Sequence, residues 1–172
     1  MAVLLQFCTS WRDPISWAIR FSTRSWCSHV EFVLDDGSTL GAHAAGGVLH
    51  RPYAHNPRGH VERYTAPMID AAYEVALTQV GKRYDFSAIT GIALDRNWRD
   101  PSRWFCSELV AAAFESVDAP LLNPAAQVWR ITPRDLLLSL AITPSEFPDL
   151  KGGAAVRGGS GAGALIGPSS GA

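Results

Sequence analysis

Cys106 stands where a proline-containing loop, Asp100-Pro101-Ser102, gives way to a segment of helical periodicity, Trp104-Phe105-Cys106-Ser107-Glu108-Leu109-Val110. Its sulfur is expected in the first helical turn, where backbone N–H groups lack intrahelical partners and the helix dipole favours negative charge. That setting favours the thiolate, the form of cysteine that attacks a carbonyl carbon. A cysteine on an apolar helix face is often only a small buried hydrophobe. The first-turn position beside Ser107 and Glu108 tips the reading towards a nucleophile. Such a nucleophile needs a base, and His29 opens a strand-like run, Ser28-His29-Val30-Glu31-Phe32-Val33-Leu34. Alternation along that run puts His29, Glu31 and Val33 on one face and Val30, Phe32 and Leu34 on the other.

The two segments resemble a known family. Ser28 to Gly37 is similar to the histidine strand, acidic-glycine turn and second strand of the NlpC-type cell-wall cysteine peptidases. Phe105-Cys106-Ser107-Glu108-Leu109-Val110 is similar to their cysteine-helix motif. The histidine precedes the cysteine here, which is the order of the circularly permuted branch that also holds lecithin:retinol-acyltransferase-like enzymes. The similarity runs over roughly Val3 to Ser139, with only the two motif segments specific. It implies a papain-like α+β fold in which an antiparallel sheet packs against the helix carrying the cysteine. It also implies amide hydrolysis through a thioester, without a metal or an organic cofactor. Carried over by position, Cys106 is the nucleophile and His29 the base. Gly81-Lys82-Arg83-Tyr84-Asp85 resembles the family's Gly-Xaa-Pro-Tyr segment, so Tyr84 joins the Cys106 N–H as an oxyanion donor. The chain departs from the pattern at the residue that orients the histidine, because an ungapped match lays Gly41 there. His43, two residues on and on the same strand face, is preferred for that role. Glu31 competes, although residues two apart on a strand point side by side. Glu108 is expected on the helix surface.

These residues must be held by a small set of elements. Val3 to Phe7 reads as a strand, and Asp13-Pro14 as the cap and first turn of a helix through Ile15, Ala18 and Ile19. His29–Leu34 and the run from Ser38 to His43 flank Asp35-Asp36-Gly37 as a hairpin. Further strands are expected at 48–51 and 61–64, and helices at 65–80, 102–117 and from Thr132-Pro133-Arg134-Asp135. The pattern is an α+β domain over residues 1–150.

From Lys151 to Ala172, 16 of 22 residues are Gly, Ala or Ser. That composition cannot bury enough apolar surface to order itself, and a flexible tail is expected. The 172 residues with 47% hydrophobic and 18% charged content suit one globular domain. A formal net charge of -1 gives no reason to expect nucleic acid as a partner. No apolar run reaches the ~18 residues that span a bilayer. The opening Met1-Ala2-Val3-Leu4-Leu5 lacks a basic region and is not read as a secretory signal. Three cysteines, Cys8, Cys27 and Cys106, make a disulfide framework unexpected and point to synthesis in a reducing cytoplasm. His50, His55 and His60 sit in loop-like sequence, and no HxH or HExxH spacing occurs, so no metal site is expected. Asp95 and Asp100 are not singled out as glycosidase acids, and Trp98, Trp104 and Trp129 are read as packing residues.

The expected function is thiol hydrolysis of amide bonds, with peptidoglycan stem peptides as substrate and a virion or released cell-wall setting. Two rivals remain. One is an acyltransferase or lipid amidase of the same chemistry, for which Leu136-Leu137-Leu138 is a short membrane-seeking segment. The other is a non-enzymatic virion module, partnered through the tail.

Overall fold

A computed structural model describes residues 2–52, 59–86, 102–123, 125, 126 and 131–145. The expected tail and His55, Asp95, Trp98, Asp100 and Trp129 lie outside the described residues. Six strands form one antiparallel sheet in the order β4-β3-β2-β1-β5-β8. They are β1 (Val3–Cys8), β2 (His29–Leu34), β3 (Thr39–His43), β4 (Gly47–Arg51), β5 (Val61–Thr65) and β8 (Thr143–Pro144). The fold is therefore α+β. β1 lies near the middle, paired with β2 and β5, and all six of its residues are buried.

The local signals account for the element ends. Asp13 caps α1 (Pro14–Thr23), its carboxylate accepting from the N–H groups of Ile15 at 3.1 Å and Ser16 at 3.3 Å. Gly37 takes a positive φ of 79° in the turn that joins β2 to β3. That turn fixes the register Phe32↔Leu40 and Val33↔Thr39. α2 (Ile69–Leu77) begins four residues later than the sequence suggested. Pro67 and Met68 form a turn, and Met68 stands in the left-handed region with no side-chain cap.

The cysteine helix α3 (Cys106–Glu115) is also shorter than expected. Arg103–Trp104 (β7) leave the helix to pair with Arg83–Tyr84 (β6) as a two-stranded parallel ribbon. Cys106 is thereby the first helical residue. Eight of the ten residues of α3 are buried, the pattern of a helix enclosed on nearly all sides. It packs on β2, β3, α2 and a short last helix α4 (Pro133–Leu137). Phe32 of β2 stacks on Phe114 of α3 with ring centroids 6.2 Å apart, which anchors the helix to the strand that carries His29. α4 starts as expected, with Thr132 and Asp135 in a reciprocal capping box. Among the described residues, no helix is long and apolar enough to cross a membrane.

Candidate active site

His29 is the first residue of β2, and its position is set from both sides. On the backbone, Ser28 N–H donates to Cys8 C=O at 3.1 Å, and Cys8 pairs with His29 across β1 and β2. In the side chains, Ser16 of α1 shares a 2.6 Å hydrogen bond with Ser28, tying the helix to the strand start. The imidazole lies beside the Cys106 sulfur, close enough to feel its charge, although the two residues are 77 positions apart in the chain. Burial alone would pull the imidazolium pKa down. The Cys106 sulfur first, joined by the Glu31 carboxylate, outweighs burial and pushes it up to about 10.

Glu31 stands behind this pair. Its Oε2 lies 3.5 Å from His29 Nε2 and 3.4 Å from His43 Nε2. Its Oε1 accepts from Gln6 Nε2 at 3.0 Å, and Arg63 Nε donates to Gln6 Oε1 at 3.2 Å. Burial pushes the Glu31 carboxyl up, but the nearby His29 imidazole first, then the charge of His43 and the Gln6 hydrogen bond, hold it below the usual range. His43 ends β3, its ring 4.9 Å from that of His29. The structure thus gathers both candidates for the orienting role, and Glu31 is the one whose oxygen faces His29 Nε2. Side chains two apart on a strand need not stay side by side: the glutamate leans across Gly41, where a Cβ would lie 2.8 Å from Glu31 Cβ and 3.5 Å from Oε2.

Cys106 is fully buried and free. Phe105 supplies no side-chain cap for α3. Glu108 reaches back instead, its carboxylate accepting from Phe105 N–H at 3.2 Å. Glu108 is only 1% exposed, which corrects the expectation of a surface residue. Ser107 Oγ donates to Ile131 C=O at 2.6 Å and fixes the first turn. Tyr84 comes to the site because the chain at 81–82 crosses β4. Val48 N–H donates to Lys82 C=O at 2.8 Å, and Gly81 N–H to Val48 C=O at 2.9 Å. Any side chain at Gly47 would strike Lys82 C=O. Burial first, and then the charge of Cys106, push the Tyr84 phenol far above its usual pKa, so it stays a proton donor.

A cavity of about 420 Å³ opens beside these groups, lined among others by Ser16, His29, Glu31, His43, Arg51 and Tyr84. Cys106 is not in its wall. The remaining candidates fall elsewhere: His60 pairs with Glu62 at 2.8 Å, His50 lies 3.5 Å from Ser38 Oγ, and Trp104 lies under Lys82. The sequence reading missed Gln6 and Arg63, which nothing local to the two motifs marks. It also missed that His29, Glu31 and His43 place three ligand atoms within 4.8 Å of one another, a group able to hold a metal ion. The available signal was a His-x-Glu pair on one strand facing a histidine across a short hairpin. Spacing rules for metal motifs within one segment do not capture it.

No family model matches this chain, and no curated protein matches it. Among solved structures, the chain is similar in fold to the metalloprotein yiiX from Escherichia coli O157:H7. The two share 18% identity at a TM-score of 0.63, over 83% of this chain and 94% of that one.

Proposed function

We propose that the protein is a thiol hydrolase of amide bonds built on a permuted, papain-like arrangement. The observation that carries this reading is the contact of His29 with the sulfur at the start of α3, with a buried carboxylate behind the imidazole. With Nε2 turned towards Glu31, Nδ1 is left to exchange a proton with Cys106. The sulfur adds to the amide carbonyl, and the oxyanion takes hydrogen bonds from Cys106 N–H and the Tyr84 hydroxyl. His29 hands its proton to the departing amine, leaving a thioester. Water, deprotonated by His29, then releases the acid and restores the thiol.

Peptidoglycan stem peptides are the favoured substrate. Arg51 in the cavity wall suits a substrate bearing carboxylates, as those peptides do. Cys106 is buried and outside the cavity wall, whereas His29 lines it, so the acyl group would reach the sulfur past the imidazole. The structural neighbour is by name a metalloprotein. Here His29, Glu31 and His43 would hold such an ion.

Incubation of the pure protein with murein, with released peptides read by mass spectrometry, tests the proposal. New amino termini that disappear in Cys106→Ser are expected. Acyl transfer to a lipid or amine acceptor instead would replace the peptidase reading with the acyltransferase one. If iodoacetamide labels native Cys106 no faster than Cys8 and Cys27, and no product forms, the enzyme reading falls and a virion structural role takes its place.

A further inference from the structure

We infer that His29, Glu31 and His43 form a zinc site, and that zinc bound there holds the thiol chemistry off. The second half rests on the thiol-hydrolase reading; the first does not.

The separations fit an ion better than they fit hydrogen bonds. The two N···O distances around Glu31 Oε2 are 3.5 and 3.4 Å. Good N–H···O bonds lie at about 2.7–3.2 Å. With zinc–ligand bonds of about 2.0–2.2 Å in a tetrahedron, neighbouring ligand atoms stand about 3.3–3.6 Å apart. All three ligand atoms fall within 4.8 Å, so a small rotation of one ring closes the third edge. The donor set, two imidazoles and a carboxylate, is one that zinc takes with a fourth position left for water.

The surroundings support the same assignment. Gln6 donates to Glu31 Oε1 and Arg63 donates to Gln6, a relay that fixes the carboxylate with Oε2 turned to the histidines. Gly41 supplies the space in which Glu31 lies. All three ligand residues line the cavity, which gives an ion from solvent a way in.

Exclusion of the two chemistries follows from the imidazole itself. A metal on Nε2 of a neutral ring fixes the remaining proton on Nδ1. Nδ1 then has no lone pair with which to take the thiol proton. Zinc and base catalysis by His29 are therefore mutually exclusive.

The test uses the full chain, purified with chelator and then titrated with zinc by calorimetry and with cobalt(II) by visible absorption. Stoichiometric binding is expected, with affinity falling at least tenfold in Glu31→Gln and in His43→Ala, each checked for folding by circular dichroism. Cys106→Ala should bind zinc as the parent does and give cobalt spectra without a thiolate band. Zinc should slow alkylation of Cys106 in the parent, and chelator should restore it. Absence of stoichiometric binding in the folded parent overturns the site while leaving the thiol reading intact. Loss of binding in Cys106→Ala overturns the three-residue ligand set. Tight binding with undiminished Cys106 alkylation overturns the exclusion.

Discussion

A methyl group at position 41 would lie 2.8 Å from Glu31 Cβ, closer than Cβ atoms pack. The absent side chain is what lets Glu31 stand between two histidines. Gly41→Ala is therefore expected to displace Glu31 and lower kcat at least tenfold with KM little changed. An overpacking cost of about 1–3 kcal/mol should accompany it in denaturant melts. Glu31 and His43 are separable in the same way. Glu31→Gln keeps the shape but removes the charge beside His29, and kcat should fall by about 10²-fold or more. His43→Asn, which leaves the Glu31–His29 contact in place, should cost less. Equal losses in the two variants would mean that His43 acts on His29 directly.

The elements matter through how rigidly they present these side chains. α3 carries the thiol and β2 the imidazole, and the stacked Phe114 and Phe32 rings lock one to the other. Phe114→Ala should destabilise the protein by about 3–5 kcal/mol, the range for emptying a large buried aromatic site. It should also reduce Cys106 alkylation relative to the parent under conditions where both remain folded. α1 is held to β2 by the Ser16–Ser28 hydrogen bond and started by Asp13. Asp13→Ala should cost about 0.5–2 kcal/mol, the value of an N-cap. Thermal or urea melts against the parent measure both variants.

At the scale of the molecule, the sheet encloses groups that resist ionisation. Burial pushes the Cys27 thiol up to about 12, outweighing the hydrogen bond its sulfur makes to His29 C=O. Burial, followed by the hydrogen bond to Glu62, pushes the Tyr64 phenol up to about 12. In the unfolded chain these groups ionise near ~8.5 and ~10. Between those values and 12 the folded state holds more protons than the unfolded one. Stability is therefore fully present below about pH 8.5 and is lost as pH rises towards 12. Melting temperatures across pH 8–11 should fall steadily, and Tyr64→Phe should flatten the upper part of the curve. Native-state mass spectrometry should find Cys8 and Cys27 unalkylated until global unfolding, since both are buried and both thiols are pushed up.

The sequence by itself determined what depends on neighbours along the chain. The Asp13-Pro14 and Thr132-Pro133 helix starts, the Asp35-Asp36-Gly37 hairpin and the placing of Cys106 at a helix start all follow from local backbone chemistry. The place of Glu31 between His29 and His43, the burial of Glu108 and the relay through Gln6 and Arg63 were decided by tertiary structure alone. Each depends on which residues from distant segments share one enclosed space. Strand register, sheet order and the path of 81–84 over β4 set that space. A periodic pattern names the face on which a side chain stands, but not the partner it finds there.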